Sequence, residues 1–408
     1  MKWIDAIPKF VDFSVSSHLE LWYSTPSDEI NPSSFPLVHP KSQSNAIETQ
    51  QVIDELIQRL KNNHSNHPED EKNMKALFTQ VFKCDPDVIL SKEYKVATLA
   101  FFQKAKSYDP NINYSDIYQA IRNLWIANSI QHLMGIPIKL TPSIFAYSML
   151  YPYSDNLLDD EQISLSDKRA FNARFRLRLQ GEILIPKNQI EEKIFNMVQL
   201  IEEEYSRSQF PSVFEALLAI HTGQEKSVQM NQFTNNLSVT FEKGGTSVLA
   251  DGMLITGNLS VEQADFFMGY GIFLQLLDDL QDIDEDIIQN QASLFTDMIH
   301  ISSLDNTVIQ LVNFMLSILQ NGQKVFPHKE NFFHVIQNCT LALLSRSIYK
   351  HKQYFTTQFV RDFEEKTGFK NDTYLHHKSS FQQIDQKDME TYLYALLNKK
   401  SYCENLNF

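Results

Sequence analysis

Two clusters of aspartates, each at the end of an apolar stretch, are the residues best suited to chemistry. The segment FLQLLDDLQDIDED, residues 273 to 286, changes abruptly from apolar to acidic. At about 100° per residue of helix, Asp278, Asp279 and Asp282 fall within one arc of ~100°, and Asp286 returns to nearly the bearing of Asp278. Such carboxylates repel each other, and burial makes the repulsion costlier unless a cation neutralises it. The pattern favours a site for Mg²⁺ or a related cation that prefers oxygen ligands.

The second cluster lies in YSDNLLDDEQ, residues 153 to 162, directly after the aromatic stretch IFAYSMLYPY. Asp155 and Asp159 are one helical turn apart, and Asp160 lies about 140° away. Each cluster alone has an ordinary alternative, which is an exposed acidic helix end. Two carboxylate groups on separate buried helices can instead face each other across a cavity and hold metal ions between them. Because carboxylate-bound magnesium usually binds phosphate groups, this arrangement predicts a phosphate or diphosphate substrate.

Three segments resemble the class I isoprenoid synthases, the all-α superfamily of terpene synthases and prenyltransferases: DNLLDD at 155 to 160, FEKGGTSVLADG at 241 to 252, and FLQLLDDLQD at 273 to 282. The last segment resembles the second aspartate motif of trans-prenyltransferases, and Lys243 with Thr246 stands where those enzymes keep a Lys-Thr pair. DNLLDD resembles the first motif of squalene and phytoene synthases, with Leu158 where they often place an acid. The combination is most similar to the large terpene synthases of bacilli, and the match covers residues 141 to 300.

The resemblance implies a Mg²⁺-dependent enzyme with three ions, or with Mn²⁺ in their place, that ionises an allylic diphosphate. The implied metal ligands, all of which except Asp160 are also the implied catalytic residues, are Asp155, Asp159, Asp160, Asp278, Asp279 and Asp282. Lys243 and Gln275 are implied diphosphate contacts. A basic helix adds Arg174 and Arg178, one turn apart, with Arg169 as a further candidate. The alternatives are a solvated basic face for the arginines and a packed helix contact for Gln275.

An allylic cation survives only where water is excluded and aromatic faces lie near it. Five aromatic residues stand just before the acidic clusters and are candidates for lining such a cavity, although core packing is the alternative for each: Tyr147, Tyr151, Phe267, Tyr270 and Phe273. His221 could act as a base near neutral pH. A buried structural histidine is favoured, because Glu225 is the one carboxylate visible at helical spacing.

The function predicted from these residues and the resemblance is a terpene synthase. It would ionise a long linear prenyl diphosphate, C25 to C35, release diphosphate and form a linear or cyclic hydrocarbon. A squalene- or phytoene-type condensing synthase is an alternative that DNLLDD favours and DDLQD disfavours. The sequence contains no GGKR-like or RRGxP-like motif, which argues against condensation with isopentenyl diphosphate. A helical interaction protein whose acids are surface features is the alternative outside the enzymes.

The elements that must position these residues are expected to be helices. Only 11 of the 408 residues are glycine, too few for many tight turns or a glycine-rich phosphate loop. Apolar residues recur at helical spacing from Glu48 onward. We therefore expect an all-α fold in which residues 47 to 408 form one large helical bundle around a central cavity. An N-terminal extension over residues 1 to 46 precedes it, with an extended loop from 24 to 45.

Several local signals bear on the helices that carry the two clusters. Thr141 with Pro142, and Ser260 with Gln263, are typical helix starts. Pro152 should kink or restart the helix just before the first cluster. Gly269 and Gly271 precede the second cluster, and each costs a helix about 1 kcal/mol relative to Ala. They therefore indicate a close approach by substrate or by a neighbouring helix.

Composition limits the partners and the compartment. The 36 Lys and Arg residues against 50 Asp and Glu give a net charge of −14, which argues against nucleic-acid binding. The cysteines, Cys84, Cys339 and Cys403, have no spacing typical of a metal site or a disulfide framework, which fits a reducing compartment. No apolar run approaches the roughly 18 residues that a bilayer requires. We expect a cytoplasmic protein, with peripheral membrane contact and the choice of monomer or homodimer left open.

Overall fold

The computed structural model describes residues 6–30, 87–160, 162–229 and 237–369, and a few isolated positions between residues 4 and 84. Within these residues the regular elements are helices and no strand is present, which confirms the predicted all-α class. Side chains at 159, 228 and 229, the rest of the predicted loop beyond residue 30, and Cys403 lie outside the described part.

The chain divides into two compact units, each assembled from two stretches that are distant in sequence. Unit 1 comprises residues 1–30 and 100–329, and unit 2 comprises residues 31–99 and 330–408. This division differs from the predicted boundary after residue 46. The periodicity of apolar residues identifies helices but does not show which distant helices pack together, so this pairing could not be seen in the sequence.

The helices of unit 1 include every element that carries a candidate site residue. They are α1 (Ile7–Ser24), the end of α2 (Lys92–Tyr108), α3 (Tyr114–Leu133), α4 (Pro142–Asp159), α5 (Leu165–Leu179), α6 (Gln189–Glu204), α7 (Pro211–Gln229), α8 (Leu237–Thr256), α9 (Val261–Gln281), α10 (Ile283–Gln289), α11 (Leu294–Met298) and α12 (Asp305–Val325). Unit 2 contains the start of α2, α13 (Glu330–Lys350), a 3₁₀ turn (Lys352–Tyr354) and α14 (Thr357–Thr367).

Helix α8 lies at the centre of unit 1, because it is apolar or small around most of its circumference. It contacts α1, α3, α4, α7 and α9. Its closest approach is to α9, where a Cβ added to Gly271 would lie 2.2 Å from the backbone oxygen of Gly244. Glycine at both positions therefore lets the two backbones touch. The close approach predicted from Gly271 is made by a neighbouring helix.

Helix α1 shows that the start of the chain belongs to this core. The ring of Trp22 lies edge-on to Phe241 of α8 and Phe314 of α12, with centroids 6.3 and 5.6 Å apart. The backbone N–H of Ile7 donates to the carboxylate of Glu215 on α7. The described part of the predicted N-terminal extension is thus a packed helix of unit 1.

The helices that carry the two clusters begin where predicted. The side chain of Thr141 accepts a hydrogen bond from the backbone N–H of Ile144, and Pro142 occupies the first turn of α4. Ser260 and Gln263 form the predicted capping box at the start of α9. These bonds satisfy N–H groups that a helix start otherwise leaves unpaired.

A kink or a restart of the helix is predicted at Pro152. Helix α4 does not restart there and continues through Pro152 to Asp159. A proline within a helix removes one backbone hydrogen bond, and tertiary packing can offset that cost. Helix α4 contacts α3, α6 and α8. The first acidic cluster therefore sits on the same helix as the aromatic stretch that precedes it.

Two buried aspartates of unit 1 lie in opposite electrostatic environments. Asp251 on α8 is 2% exposed, and burial raises its carboxyl pKa well above the ordinary value of 3.8. Its Oδ1 accepts from Asn123, and its Oδ2 has no hydrogen-bond partner within the described residues. Burial also acts to raise the pKa of Asp109, but hydrogen bonds from Lys193 and Tyr153 outweigh it and leave that pKa lowered.

We expect Asp251→Asn to stabilise the protein at neutral and alkaline pH. An acid whose pKa is raised by folding stabilises the fold below its ordinary pKa, near 4, and that stabilisation is lost as the pH rises toward the raised pKa. Asn cannot ionise, so the midpoint of thermal unfolding should exceed that of the wild type at about pH 8 and match it at about pH 4.

Asp109→Asn is the matched control and should show the opposite sign. Its lowered pKa stabilises the fold above the ordinary pKa, so this variant should be less stable at neutral pH, with the deficit shrinking as the solution is acidified. Thermal unfolding of both variants across this pH range is the measurement. A less stable Asp251→Asn protein at pH 8 would contradict the prediction.

Candidate functional site

A pocket in unit 1 is lined by residues from α4, α5, α7, α8 and α9, and encloses about 720 Å³ of empty space including its opening. Part of its lining is charged or polar and includes Asp155, Lys243 and Gln275. Much of the remaining wall is apolar and consists of Leu150, Leu158, Phe175, Leu179, Leu217 and Ile220. A pocket of this kind suits a ligand with a polar end and an apolar body.

The α4 wall carries three predicted residues at intervals of one turn: Tyr147, Tyr151 and Asp155. The hydroxyl of Tyr147 donates to the backbone oxygen of Ser247 at 3.0 Å, and that of Tyr151 lies 2.6 Å from the Ser247 hydroxyl. Burial raises the pKa of both phenols, and the charge of Asp251 raises it further. Both tyrosines are therefore neutral at the pocket wall, where they were predicted.

The opposite polar residues, Lys243 and Gln275, come from the α8–α9 contact. Gln275 packs against Gly244, where an added Cβ would lie 2.5 Å from the Cβ of Gln275. Its side-chain amide donates to Asp279 Oδ1 at 2.9 Å. Thr246, the other member of the Lys-Thr pair, is buried, and its hydroxyl donates to the backbone oxygen of Glu242. Gln275 thus connects the pocket to the second acidic cluster.

The second cluster is electrostatically crowded. Burial, with the charges of Asp278 and Asp286, raises the pKa of Asp279 to about 7, although Gln275 and Lys243 act to lower it. Burial and the charge of Asp278 likewise raise the pKa of Asp286 to about 6. These carboxylates compete for protons because they lie close together, so a nearby cation would stabilise them in the ionised form.

The second cluster does not lie on one continuous helix, although its spacing was interpreted in that way. Helix α9 ends at Gln281, and α10 begins at Ile283. Asp282 lies between them, exposed, with its backbone N–H donating to the backbone oxygen of Asp278. The carboxylate of Asp278 accepts from Arg122 at 3.3 Å. Like charges one turn apart destabilise a helix, so the helix is more easily interrupted in this acidic run than in the apolar turn before it.

The first cluster meets the pocket through Asp155. Asp159 is the last residue of α4, and its side chain lies outside the described residues. Asp160 caps the helix and is exposed, and its carboxylate accepts from the backbone N–H of Gln162 at 2.8 Å. The pocket lining includes Asp155 but not Asp278, Asp279 or Asp282. The described contact between the pocket lining and the second cluster is the hydrogen bond from Gln275 to Asp279.

The donor types at the two clusters fit a hard divalent cation, since they are carboxylate oxygens beside a polar pocket. In the described part of the chain, no three or more His, Cys, Asp or Glu side chains are grouped so that they could hold a metal ion. The binding of Mg²⁺ at this site thus stays a prediction.

The three predicted arginine contacts lie outside the pocket lining. Arg174 donates from Nε and Nη2 to the carboxylate of Glu191 at 2.8 and 2.9 Å, and Arg178 makes a bidentate pair with Glu202. Arg169 is exposed on α5. None of the three lines the pocket. The partners of Arg174 and Arg178 lie on α6, which helical spacing along α5 alone could not reveal, and the geometry assigns both arginines to structural ion pairs.

We expect Arg174→Gln to destabilise the fold, because Glu191 is 2% exposed and would keep a buried, unpaired charge. Removing one partner of such a pair costs roughly 3 kcal/mol. Glu191→Gln should also destabilise, and the double variant should lose less than the sum of the two, as measured by urea unfolding. Strict additivity would show that the pair does not contribute as a unit.

Three of the predicted cavity aromatics pack against other aromatic side chains instead. Phe267 and Phe273 are 1% and 0% exposed. Phe267 packs against Phe326 with ring centroids 6.0 Å apart, and Tyr270 stacks on Phe266 at 6.1 Å. None of the predicted three lines the pocket. Core packing, the alternative given for each residue, is found for Phe267 and Phe273, whereas Tyr270 is half-buried.

Five polar residues of the pocket wall were not predicted as site residues: Ser154 of α4, Asn172 of α5, His221 and Gln224 of α7, and Ser247 of α8. His221 is buried as expected of a structural histidine, with Nε2 3.0 Å from the backbone oxygen of Asn172 and 3.3 Å from Glu225 Oε1. The i,i+3 spacing of His221 and Gln224 could have indicated a shared face. No sequence pattern marks Asn172.

No protein-family model, curated protein or solved structure matches the chain. Across the described helices, none combines the length and apolar character needed to cross a lipid bilayer.

Proposed function

We propose that the chain is a class I terpene synthase that ionises a long linear prenyl diphosphate, C25 to C35, and converts it to a linear or cyclic terpene. One observation carries the proposal. Asp155, Lys243 and Gln275 line the same pocket as Tyr147 and Tyr151, and that pocket continues into an apolar wall. The polar part suits a diphosphate, and the apolar part suits a prenyl chain.

The second acidic cluster supports the same proposal. Gln275 donates to Asp279, whose raised pKa reflects burial and neighbouring carboxylates. Mg²⁺ bound by these aspartates would neutralise the charge that develops on the leaving diphosphate. The candidate ligands are Asp155, Asp159, Asp278, Asp279 and Asp282. Because a carboxyl group must be ionised to bind a cation, the raised pKa of Asp279 means that protons compete with Mg²⁺ at this ligand.

The chain's own side chains then have distinct tasks. Lys243 supplies a positive charge beside the diphosphate, and Gln275 orients Asp279. The neutral phenols of Tyr147 and Tyr151, fixed by Ser247, offer aromatic faces that stabilise an allylic cation. The leucines and Phe175 of the wall exclude bulk water while the cation exists.

A condensing synthase of the squalene or phytoene type is the second candidate, since DNLLDD at residues 155 to 160 favours it. Incubation of the full chain with Mg²⁺ and linear prenyl diphosphates from C10 to C35, with and without isopentenyl diphosphate, separates the two. Diphosphate release with a product of unchanged carbon number supports the terpene synthase. A product with summed carbons supports the condensing enzyme.

A binding measurement separates both enzymes from a helical interaction protein. Mg²⁺ with inorganic diphosphate, at 100 times its dissociation constant, should raise the unfolding free energy by roughly 2.7 kcal/mol. Replacing Asp278 and Asp282 together with Ala should remove that shift. No diphosphate release from any substrate, together with no thermal shift, would contradict the proposal.

A further inference from the structure

Two of the chain's three cysteines meet within unit 2, although they lie far apart in sequence. Cys84 is 8% exposed, and Cys339 on α13 is half-buried. Both are free thiols, and a hydrogen bond joins their side chains. A disulfide requires two sulfur atoms that already lie close together, because the bond between them is only about 2.05 Å long. The fold thus provides the arrangement that the spacing of the cysteines did not predict.

The backbone beside Cys84 is held against α13. The side-chain amide of Asn338 donates to the backbone oxygen of Lys83 at 2.8 Å. These two residues directly precede the two cysteines, so the bond brings both stretches of chain together. The ammonium group of Lys83 also donates to the backbone oxygen of Gly368 and lies 5.0 Å from the centroid of the Phe369 ring. The contact between the thiols is therefore supported by contacts of the neighbouring residues.

The two thiols have different parts in this contact. The hydrogen bond to Cys84 raises the pKa of Cys339, and burial raises it further. A hydrogen bond raises the pKa of a thiol when the protonated form makes it, so Cys339 donates and the sulfur of Cys84 accepts. A donor of this kind stabilises a thiolate at Cys84, and the thiolate is the form that reacts with oxidants. Cys84 is thus suited to react first and Cys339 to complete a disulfide.

The burial of the pair limits the size of the oxidant. A disulfide reagent such as oxidised glutathione must form a mixed disulfide on one of the sulfurs, which requires space for a whole peptide. Hydrogen peroxide transfers a single oxygen atom and leaves only a sulfenic acid on the cysteine. The small exposed area of Cys84 therefore favours a peroxide.

We infer that Cys84 and Cys339 are a dithiol that hydrogen peroxide oxidises to a disulfide and that thiol reductants restore. The thiolate of Cys84 attacks one peroxide oxygen, the oxygen–oxygen bond breaks, and the departing hydroxide takes up the proton that Cys84 lost. The sulfur of Cys339 then displaces the hydroxyl of the sulfenic acid, which leaves as water with the proton of Cys339. Two thiols and one peroxide give a disulfide and two waters, and the peroxide gains the two electrons that the sulfurs lose.

The disulfide would join the two sequence stretches of unit 2, residues 31–99 and 330–408. A cross-link restricts the unfolded chain, and the restriction increases with the length of the loop that it closes, so this bond should stabilise the protein. A reversible bond of this kind is compatible with a reducing compartment, where disulfides are transient and respond to oxidants. The inference goes beyond the proposed function and does not depend on it.

Peptide mapping tests the bond directly. The full chain is treated with hydrogen peroxide without denaturant, the remaining thiols are blocked, and the peptides are analysed by mass spectrometry without reduction. We expect a pair of peptides joined through Cys84 and Cys339, which dithiothreitol separates. Two unmodified thiols under conditions that oxidise exposed methionines would overturn the inference. A sulfinic acid at Cys84 in place of the link would also overturn it.

Matched variants assign the two thiols. Cys403→Ser removes the remaining cysteine and should leave the link at the wild-type level. Cys339→Ser keeps a hydrogen-bond donor beside Cys84 but cannot complete the disulfide, so we expect a sulfenic acid at Cys84 that dimedone labels after unfolding. A link to Cys403 in the wild type, or no sulfenic acid in Cys339→Ser, would contradict the assignment.

Thermal unfolding measures the consequence of the bond. The peroxide-treated wild type should unfold several degrees above the reduced protein, and dithiothreitol should remove the difference. Cys84→Ser lacks one sulfur, so peroxide should not raise its midpoint of unfolding. An equal rise in Cys84→Ser would show that the cross-link is not the cause and would overturn its stabilising role. No prenyl diphosphate is present in these measurements, so their outcome is separate from that of the proposed function.

Discussion

Replacing Asp279 with Asn should reduce diphosphate release from a prenyl diphosphate by about 10²–10³-fold, the loss typical of removing one group that stabilises charge in a transition state. Asp279 is the carboxylate of the second cluster that Gln275 connects to the pocket. Asn keeps the hydrogen-bonding shape but provides no negative charge to bind a cation. The measurement is the rate of diphosphate release at saturating Mg²⁺.

The control for this variant is Glu262→Gln, which removes one acidic charge from the exposed start of the same helix. It should retain the wild-type rate, because Glu262 lies about five turns from Asp279 along α9. An Asp279→Asn protein that is folded and releases diphosphate at the wild-type rate would contradict the role of the second cluster.

Replacing Gly271 with Ala should lower the free energy of unfolding by about 3 kcal/mol, a large cost for adding one methyl group. The new Cβ would lie 2.2 Å from the backbone oxygen of Gly244. Backbone cannot move aside as a side chain can, so α8 and α9 must separate. The cost exceeds the gain of about 1 kcal/mol that Ala brings to a helix interior. Urea unfolding measures the difference.

Gly269→Ala is the matched comparison, two residues earlier on the same helix. Its Cβ would meet the ends of side chains, Ile318 Cδ1 at 2.5 Å and His18 Nε2 at 2.6 Å. Because these are side-chain atoms, which can shift more readily than backbone, we expect a smaller loss than for Gly271→Ala. Equal losses in the two variants would show that the backbone contact between α8 and α9 has no special importance.

Features set by local spacing could be predicted from the sequence. Tyr147, Tyr151 and Asp155 are one turn apart, and a helix places them on one wall whatever surrounds it. The capping box of Ser260 and Gln263 is also local. The resemblance added Lys243 and Gln275, and the structure brings both to the pocket.

Features set by distant partners could not be predicted in this way. Arg174 pairs with Glu191 on another helix, and Phe267 packs against Phe326, 59 positions further along the chain. Spacing along one helix defines faces but does not identify what each face meets. No local sequence pattern distinguishes Asn172. What distinguishes it is a side-chain oxygen that has no hydrogen-bond partner among the described residues. The division into two units could not be predicted for the same reason, since each unit joins stretches that are distant in sequence.

The contact between Gly244 and Gly271 also decides where this pocket can change in size. Neither position can accept a larger residue without moving the backbone of the opposite helix. The α4, α5 and α7 walls also present Leu150, Phe175 and Leu217, side chains that can be shortened individually, although a Cβ added to Gly223 of α7 would lie 3.0 Å from Lys243 Cα of α8. Redesign for longer or shorter ligands therefore has three adjustable walls, α4, α5 and α7, and one fixed wall.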